Sequence, residues 1–148
     1  MKKIIIDTDP GIDDAMAIHL AFAHPRLEVV GLTTVFGNVH TATGTRNALR
    51  LAEMAGVACP VAEGAAAPLV QPQHPPADFV HGPAGFRSVP AAQPDASPAP
   101  PAAPRFILDL ANAHPGAITP RPVGPPTHLS PAPPPPPPPT PRVPPLLP

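Results

Sequence analysis

Three consecutive isoleucines run straight into four carboxylates: Ile4-Ile5-Ile6 precedes Asp7-Thr8-Asp9-Pro10-Gly11-Ile12-Asp13-Asp14. No other stretch restricts the fold as much. A short β-branched run reads as a buried strand, and Pro-Gly forces a sharp turn. Asp13 and Asp14 then stand where a helix begins, with Ala15-Met16-Ala17-Ile18 behind them. Carboxylates at such a start accept from free backbone N–H groups and favour the positive end of the helix dipole. The order is strand, turn, helix, with the acids at the carboxyl end of the strand. In an open α/β sheet that edge is where ligands bind.

Clustered like charges repel, each disfavouring its neighbour's charged form. A bound cation removes that penalty, and hard oxygen donors suit Ca²⁺ or Mg²⁺. The plainer reading, two helix-capping acids and two solvated turn acids, leaves four charges together without neutralisation. The cation reading is preferred.

Apolar spacing carries the rest of the frame. Lys3 to Ile6 is expected as the first strand and Asp13 to about His24 as the first helix, with Ile18, Ala21 and Phe22 at helical spacing. Pro25 ends that helix, since it cannot donate the next hydrogen bond. Leu27 to Val35 reads as a second buried strand. Strand, helix, strand makes a right-handed unit with parallel strands, which places Asn38 beside the acids. Thr41 to Ala55 is a second helix closed by Gly56, and Pro60 to Ala62 a short third strand. Arg46 and Asn47 are expected to decorate the helix surface. Residues 63–103 read as loop, with 88–104 a Pro/Ala spacer, before a third helix over Arg105 to His114. Ala117-Ile118-Thr119 should begin another strand.

A chain of 148 residues with a formal charge of −1 suggests one domain, without the bulk electrostatics of a nucleic-acid or membrane partner. Met1-Lys2-Lys3 and the isoleucines do not make a signal peptide, because Asp7 and Asp9 cut the apolar run short. No run approaches the length of a membrane span. A lone cysteine, Cys59, excludes an internal disulfide and fits a reducing cytoplasm. Proline is the anomaly: of 31, 16 fall in the last 29 residues, so that end is a different kind of chain. Pro133 to Pro139 cannot be α-helical and is expected as polyproline II or disordered chain.

The run DTDPGIDDA resembles the N-terminal signature of the calcium-dependent nucleoside hydrolases, the inosine–uridine-preferring N-ribohydrolases. Thr33-Thr34-Val35-Phe36-Gly37-Asn38, Thr45-Arg46-Asn47-Ala48 and His81-Gly82 agree with it. The resemblance runs from Met1 to about Thr119 and then continues in altered form. Where the family has Val, Ala and Leu, then Gly-Pro-Leu-Thr-Asn-Leu, this chain has Pro120 to Ser130, keeping register at Val123, Gly124, Pro125, Thr127 and Leu129. The expected fold is therefore α/β, a Rossmann-like parallel sheet with flanking helices, incomplete. Residues 1–119 would be the N-terminal portion of the hydrolase domain, and 120–148 a degenerate, irregular proline-rich tail.

The resemblance also implies roles. Asp9 would bind calcium and act as general base toward the nucleophilic water. Asp14 would be a bidentate calcium ligand, Asp7 would support the metal site, and Val123 would offer its backbone carbonyl. Asp13 would bond a ribose hydroxyl, Asn38 would lie on the sugar side, and His81 would approach the nucleobase. Arg87 stands where the family more often has a small residue. The other six histidines (His19, His24, His40, His74, His114, His128) show no metal-ligand spacing and read as structural or solvated. The family's further calcium-binding Asp, the His near the leaving base and the Asn/Glu/Asn set gripping ribose are not found. Little or no activity is expected of these residues by themselves, and a homo-oligomer is expected of the complete family member. Two other classes compete: a non-catalytic α/β piece presenting a polyproline ligand to SH3- or WW-like domains, and a haloacid dehalogenase-type phosphatase. The second would want Gly and then Thr or Val after Asp9, not Pro10-Gly11-Ile12-Asp13-Asp14.

Overall fold

A computed structural model describes residues 1–90 and 92–130. The strand β1 (Lys2–Thr8) leads into helix α1 (Ile12–Ala23), strand β2 (Leu27–Thr34), helix α2 (Thr41–Ala55) and strand β3 (Val61–Glu63). A short helix α3 (Asp78–His81), helix α4 (Ala103–Ala113), strand β4 (Ile118–Pro122) and a 3₁₀ turn over Pro126–His128 follow. The sheet order is β3-β2-β1-β4, and every pairing is parallel. The α/β expectation holds.

The core forms where the periodicity places it. Ile4, Ile6, Ile18, Ala21, Leu32, Ala48, Leu49, Leu51 and Val61 make one buried cluster between sheet and helices. A second cluster of Ala62, Ala103 and Phe106 holds α4 against the sheet. Cys59 packs beside the first cluster, and burial pushes its thiol up to about 12, so it stays a protonated small hydrophobe. Gly56 closes α2 with φ 66°, as expected of a left-handed cap.

Three expectations need correction. β1 extends to Thr8, so Asp7 is a buried strand residue and not part of the turn. The loop expected over 63–103 contains the short helix α3, and α4 begins at Ala103, two residues before the expected Arg105. Within the spacer, Asp95 and Ala96 N–H groups donate to Glu53 Oε1 at 2.7 and 3.0 Å, and Ala99 N donates to Val61 O at 2.8 Å. The irregular segment expected from residue 120 instead carries β4 through Pro122 and the 3₁₀ turn.

Register explains how β4 survives its prolines. In a parallel ladder alternate residues present both N–H and C=O to one neighbour. Val123 N donates to Asp7 O at 2.8 Å, so Arg121 and Thr119 face β1 in the same way. Pro120 and Pro122 then face away from β1, on the edge left unpaired among the described residues, where a missing donor breaks no ladder bond. The Pro133–Pro139 run lies outside the described residues.

Candidate active site

The carboxyl ends of β1 and β2 meet in a buried acidic pocket. Asp7, Asp9 and Asp14 are 1%, 5% and 4% exposed. The β1–β2 register sets Asp7 beside Thr33 and Thr8 beside Thr34, so threonines from the strands serve the acids. Thr8 Oγ1 donates to Asp14 Oδ1 at 2.6 Å. Thr33 Oγ1 donates to Asp7 Oδ1 at 2.7 Å. Gly11 N donates to Asp14 Oδ2 at 3.2 Å, so Asp14 caps the start of α1 as well as facing the pocket.

Asn38 ties Asp9 and Asp14 together. Its backbone N–H donates to Asp9 Oδ2 at 2.7 Å, and its side-chain Nδ2 donates to Asp14 Oδ2 at 3.0 Å. The placement inferred from parallel topology is the one observed. Gly37 lies against Asp9 so closely that a Cβ would collide with its carboxylate, and a Cβ on Gly124 would meet Asp9 Oδ1 at 2.8 Å. Backbone therefore walls Asp9 on two sides. Burial, reinforced by the Asp14 and Asp13 charges, raises Asp9 to about 7, although the Asn38 N–H works the other way. A carboxyl in that range is poised to exchange a proton at neutral pH.

The remaining predicted residues are spread around this centre. Asp13 sits at the first turn of α1 with its side chain 79% exposed and its Oδ1 4.0 Å from His81 Nδ1. His81 is buried, not an open loop residue. Its Nδ1 accepts from Ile12 N at 3.2 Å, so the neutral ring carries its proton on Nε2. Val123 has an exposed side chain, and its N–H is spent on Asp7 O. Asp7 stands behind Asp9 and Asp14: Oδ1 is taken by Thr33 and His128, while Oδ2 is buried without a hydrogen-bond partner.

Two readings of the sequence missed partners of this site. Asn47, expected on the helix surface, is 2% exposed. It donates to Pro10 O and Ala84 O at 3.2 and 3.0 Å, and Arg46 Nη2 donates to Ala84 O at 3.0 Å. Together they clamp the loop after His81 onto the Pro-Gly turn. His128, expected to be structural or solvated, reaches Asp7 across 121 positions of sequence. For Asn47 the signal was its place in α2, on the face of buried Gly44, Ala48 and Leu51. For His128 no local pattern exists.

An all-oxygen donor set, buried and carrying excess negative charge, fits a hard divalent cation. Among the described residues no three His, Cys, Asp or Glu side chains form a metal-holding group. Asp7 turns its Oδ1 to Thr33 and His128, which leaves Asp9 and Asp14 as the converging pair. Such ions take six to eight oxygens when the ion is Ca²⁺, so other oxygens would have to complete the set.

The sequence profile of the inosine-uridine preferring nucleoside hydrolases matches residues 4–132. The chain belongs to this family. It is 48% identical over 130 residues to uridine nucleosidase 1 of Arabidopsis thaliana, covering 87% of this chain and 39% of that protein. It is 46% identical over 89 residues to the inosine-uridine preferring nucleoside hydrolase of Crithidia fasciculata, covering 60% of this chain and 28% of that one. Among solved structures, a plant nucleoside hydrolase superposes with TM-score 0.82 at 46% identity, over 87% of this chain and 41% of the other. The purine-preferring ribonucleoside hydrolase of Gardnerella vaginalis gives TM-score 0.83 at 29% identity, over 87% and 42%. The chain thus spans about two-fifths of the length of the Arabidopsis, plant and Gardnerella proteins. Family membership sets the chain among the nucleoside hydrolases and apart from the haloacid dehalogenase-type phosphatases. No helix among the described residues is long and apolar enough to cross a membrane.

Proposed function

We propose that the acidic pocket is part of a site for Ca²⁺-assisted hydrolysis of the N-glycosidic bond of ribonucleosides, serving purine and pyrimidine salvage in the cytoplasm. Asp9 carries the proposal: it is buried, raised to about 7, and held by Asn38 beside Asp14. Beside a bound cation the carboxyl is ionised, and as a carboxylate it can take a proton from an attacking water. Asp9 and Asp14, with the Val123 carbonyl, would hold the cation, and Asp7 would support them from behind. When bound, the cation lowers the pKa of water and orients the sugar hydroxyls. Asp13, exposed at the mouth, accepts from a ribose hydroxyl, and Asn38 lines the sugar side. His81, with its Nε2–H free, faces the leaving base. The Asn47–Arg46 clamp fixes the loop that carries His81.

These residues supply a base, part of a cation site and the His81 N–H toward the leaving base, but few contacts to ribose. Positioning and electrostatic stabilisation provide most of such a rate enhancement. The 148 residues alone are therefore proposed to have little or no activity, and the whole protein to work as a homo-oligomer on small ribonucleosides. Release of ribose from inosine and uridine in the presence of Ca²⁺ tests this. Background rates are expected from the purified chain. Turnover that disappears in Asp9→Ala would show that these residues suffice and overturn the expected inactivity.

A further inference from the structure

His128 lies on the 3₁₀ turn of the proline-rich segment, yet its ring is buried against the end of β1. Nε2 accepts from Ala65 N at 2.8 Å, so that nitrogen is unprotonated. The neutral ring must then carry its proton on Nδ1, which lies 2.7 Å from Asp7 Oδ1. The tautomer follows from the partners, and Nδ1–H donates to the carboxylate. Asp7 in turn receives Val123 N and Gly124 N on its backbone oxygen, at 2.8 and 3.1 Å. Gly124 is one of the two backbone walls around Asp9. A continuous path runs from His128 through Asp7 and Gly124 to Asp9.

We propose that His128 is a positioning residue: as the Nδ1–H tautomer it orients Asp7 and fixes the Val123–Gly124 turn against Asp9. Its consequence for cation binding and hydrolysis rests on the function proposed above; the contact itself does not.

The test uses the 148-residue chain labelled with ¹⁵N-histidine. Long-range nitrogen–proton correlation at neutral pH should show a protonated Nδ1 and an unprotonated Nε2 for His128. The opposite tautomer, or the averaged signal of a solvated ring, overturns the proposal. Two variants then separate positioning from simple docking. His128→Asn keeps an amide donor near the Nδ1 position and loses the acceptor for Ala65. His128→Gln reaches the Nε2 position and loses the donor to Asp7. Backbone amide signals of Val123, Gly124 and Asn38 should stay near wild type in the Asn variant and move in the Gln variant. Affinity for Ca²⁺ alone should fall about tenfold in the Gln variant and much less in the Asn variant. Equal effects of the two, or a larger effect of the Asn variant, would mean that His128 only docks the Ala65 loop. A wild-type chain that binds no Ca²⁺ removes the cation from the proposed function, while tautomer and amide signals still decide the role of His128.

Discussion

β1 and β4 lie side by side in one sheet but are built by opposite means. β1 has a continuous apolar centre, with Ile4, Ile5 and Ile6 all buried and paired on both edges. β4 is Ile-Thr-Pro-Arg-Pro, half-buried at best, and pairs on one edge among the described residues. β1 is held by what it buries; β4 is held by register and by the hydrogen bonds at its end, from Val123 and Gly124 to Asp7 O. Proline content alone does not forbid a strand. What matters is which edge each proline faces.

The largest effect expected on this contrast comes from the charge that β1 delivers to the pocket. Asp9 has its carboxyl raised from 3.8 to about 7. Between those values the folded chain holds a proton that the unfolded chain releases, so stability falls as pH rises through that window. Without added cation, Asp9→Asn should stabilise the chain at pH 8 by up to about 4 kcal/mol, the full value of a shift of roughly three units, and should do little at pH 4. Urea denaturation at the two pH values measures this; an equal effect at both would contradict the buried, raised carboxyl.

Truncating the core of β1 comes next. Ile5→Ala should cost about 3 kcal/mol through lost burial and a cavity, whereas Ile118→Ala on β4 should cost about 1 kcal/mol, both read from the same denaturation curves. Similar losses would erase the distinction between the strands. The register rule is tested by moving the proline. Arg121→Pro removes a donor facing β1 and should cost about 2 kcal/mol, while Pro120→Val should stay within about 0.5 kcal/mol. The reverse order would place the prolines on the wrong edge. The smallest effect concerns Arg87, which follows the His81 loop with φ 50°. Arg87→Gly should gain about 1 kcal/mol by relieving a left-handed conformation, seen as a modest rise in Tm.

The same contrast divides what the sequence reveals from what it hides. Ile4-Ile5-Ile6, Pro-Gly and the helical spacing of Ile18, Ala21 and Phe22 act locally, and each points to the element observed. Asn38 is legible because parallel strands bring their carboxyl ends together whatever lies between. The expected end of β1 at Ile6 falls two residues short of Thr8, since strand ends depend on the neighbouring strand. The partners of Asn47 and His128 stay hidden for a different reason: Pro10, Ala84 and Asp7 are distant in sequence, and a buried polar side chain has no local spacing to announce it. The prolines of β4 misled because a ladder position, not a residue type, decides their cost.

We propose that Asp9 and Asp14, bridged by Asn38, are the carboxylate pair of a divalent-cation site. Calorimetric titration of Ca²⁺ into the 148-residue chain at pH 7.5 tests it most directly, alongside Asp9→Asn and Asp14→Asn. Saturable binding to one site is predicted, weak because the oxygen set is incomplete, with affinity falling about tenfold or more in either variant. Heats no larger than dilution, or binding that ignores both substitutions, would contradict the account.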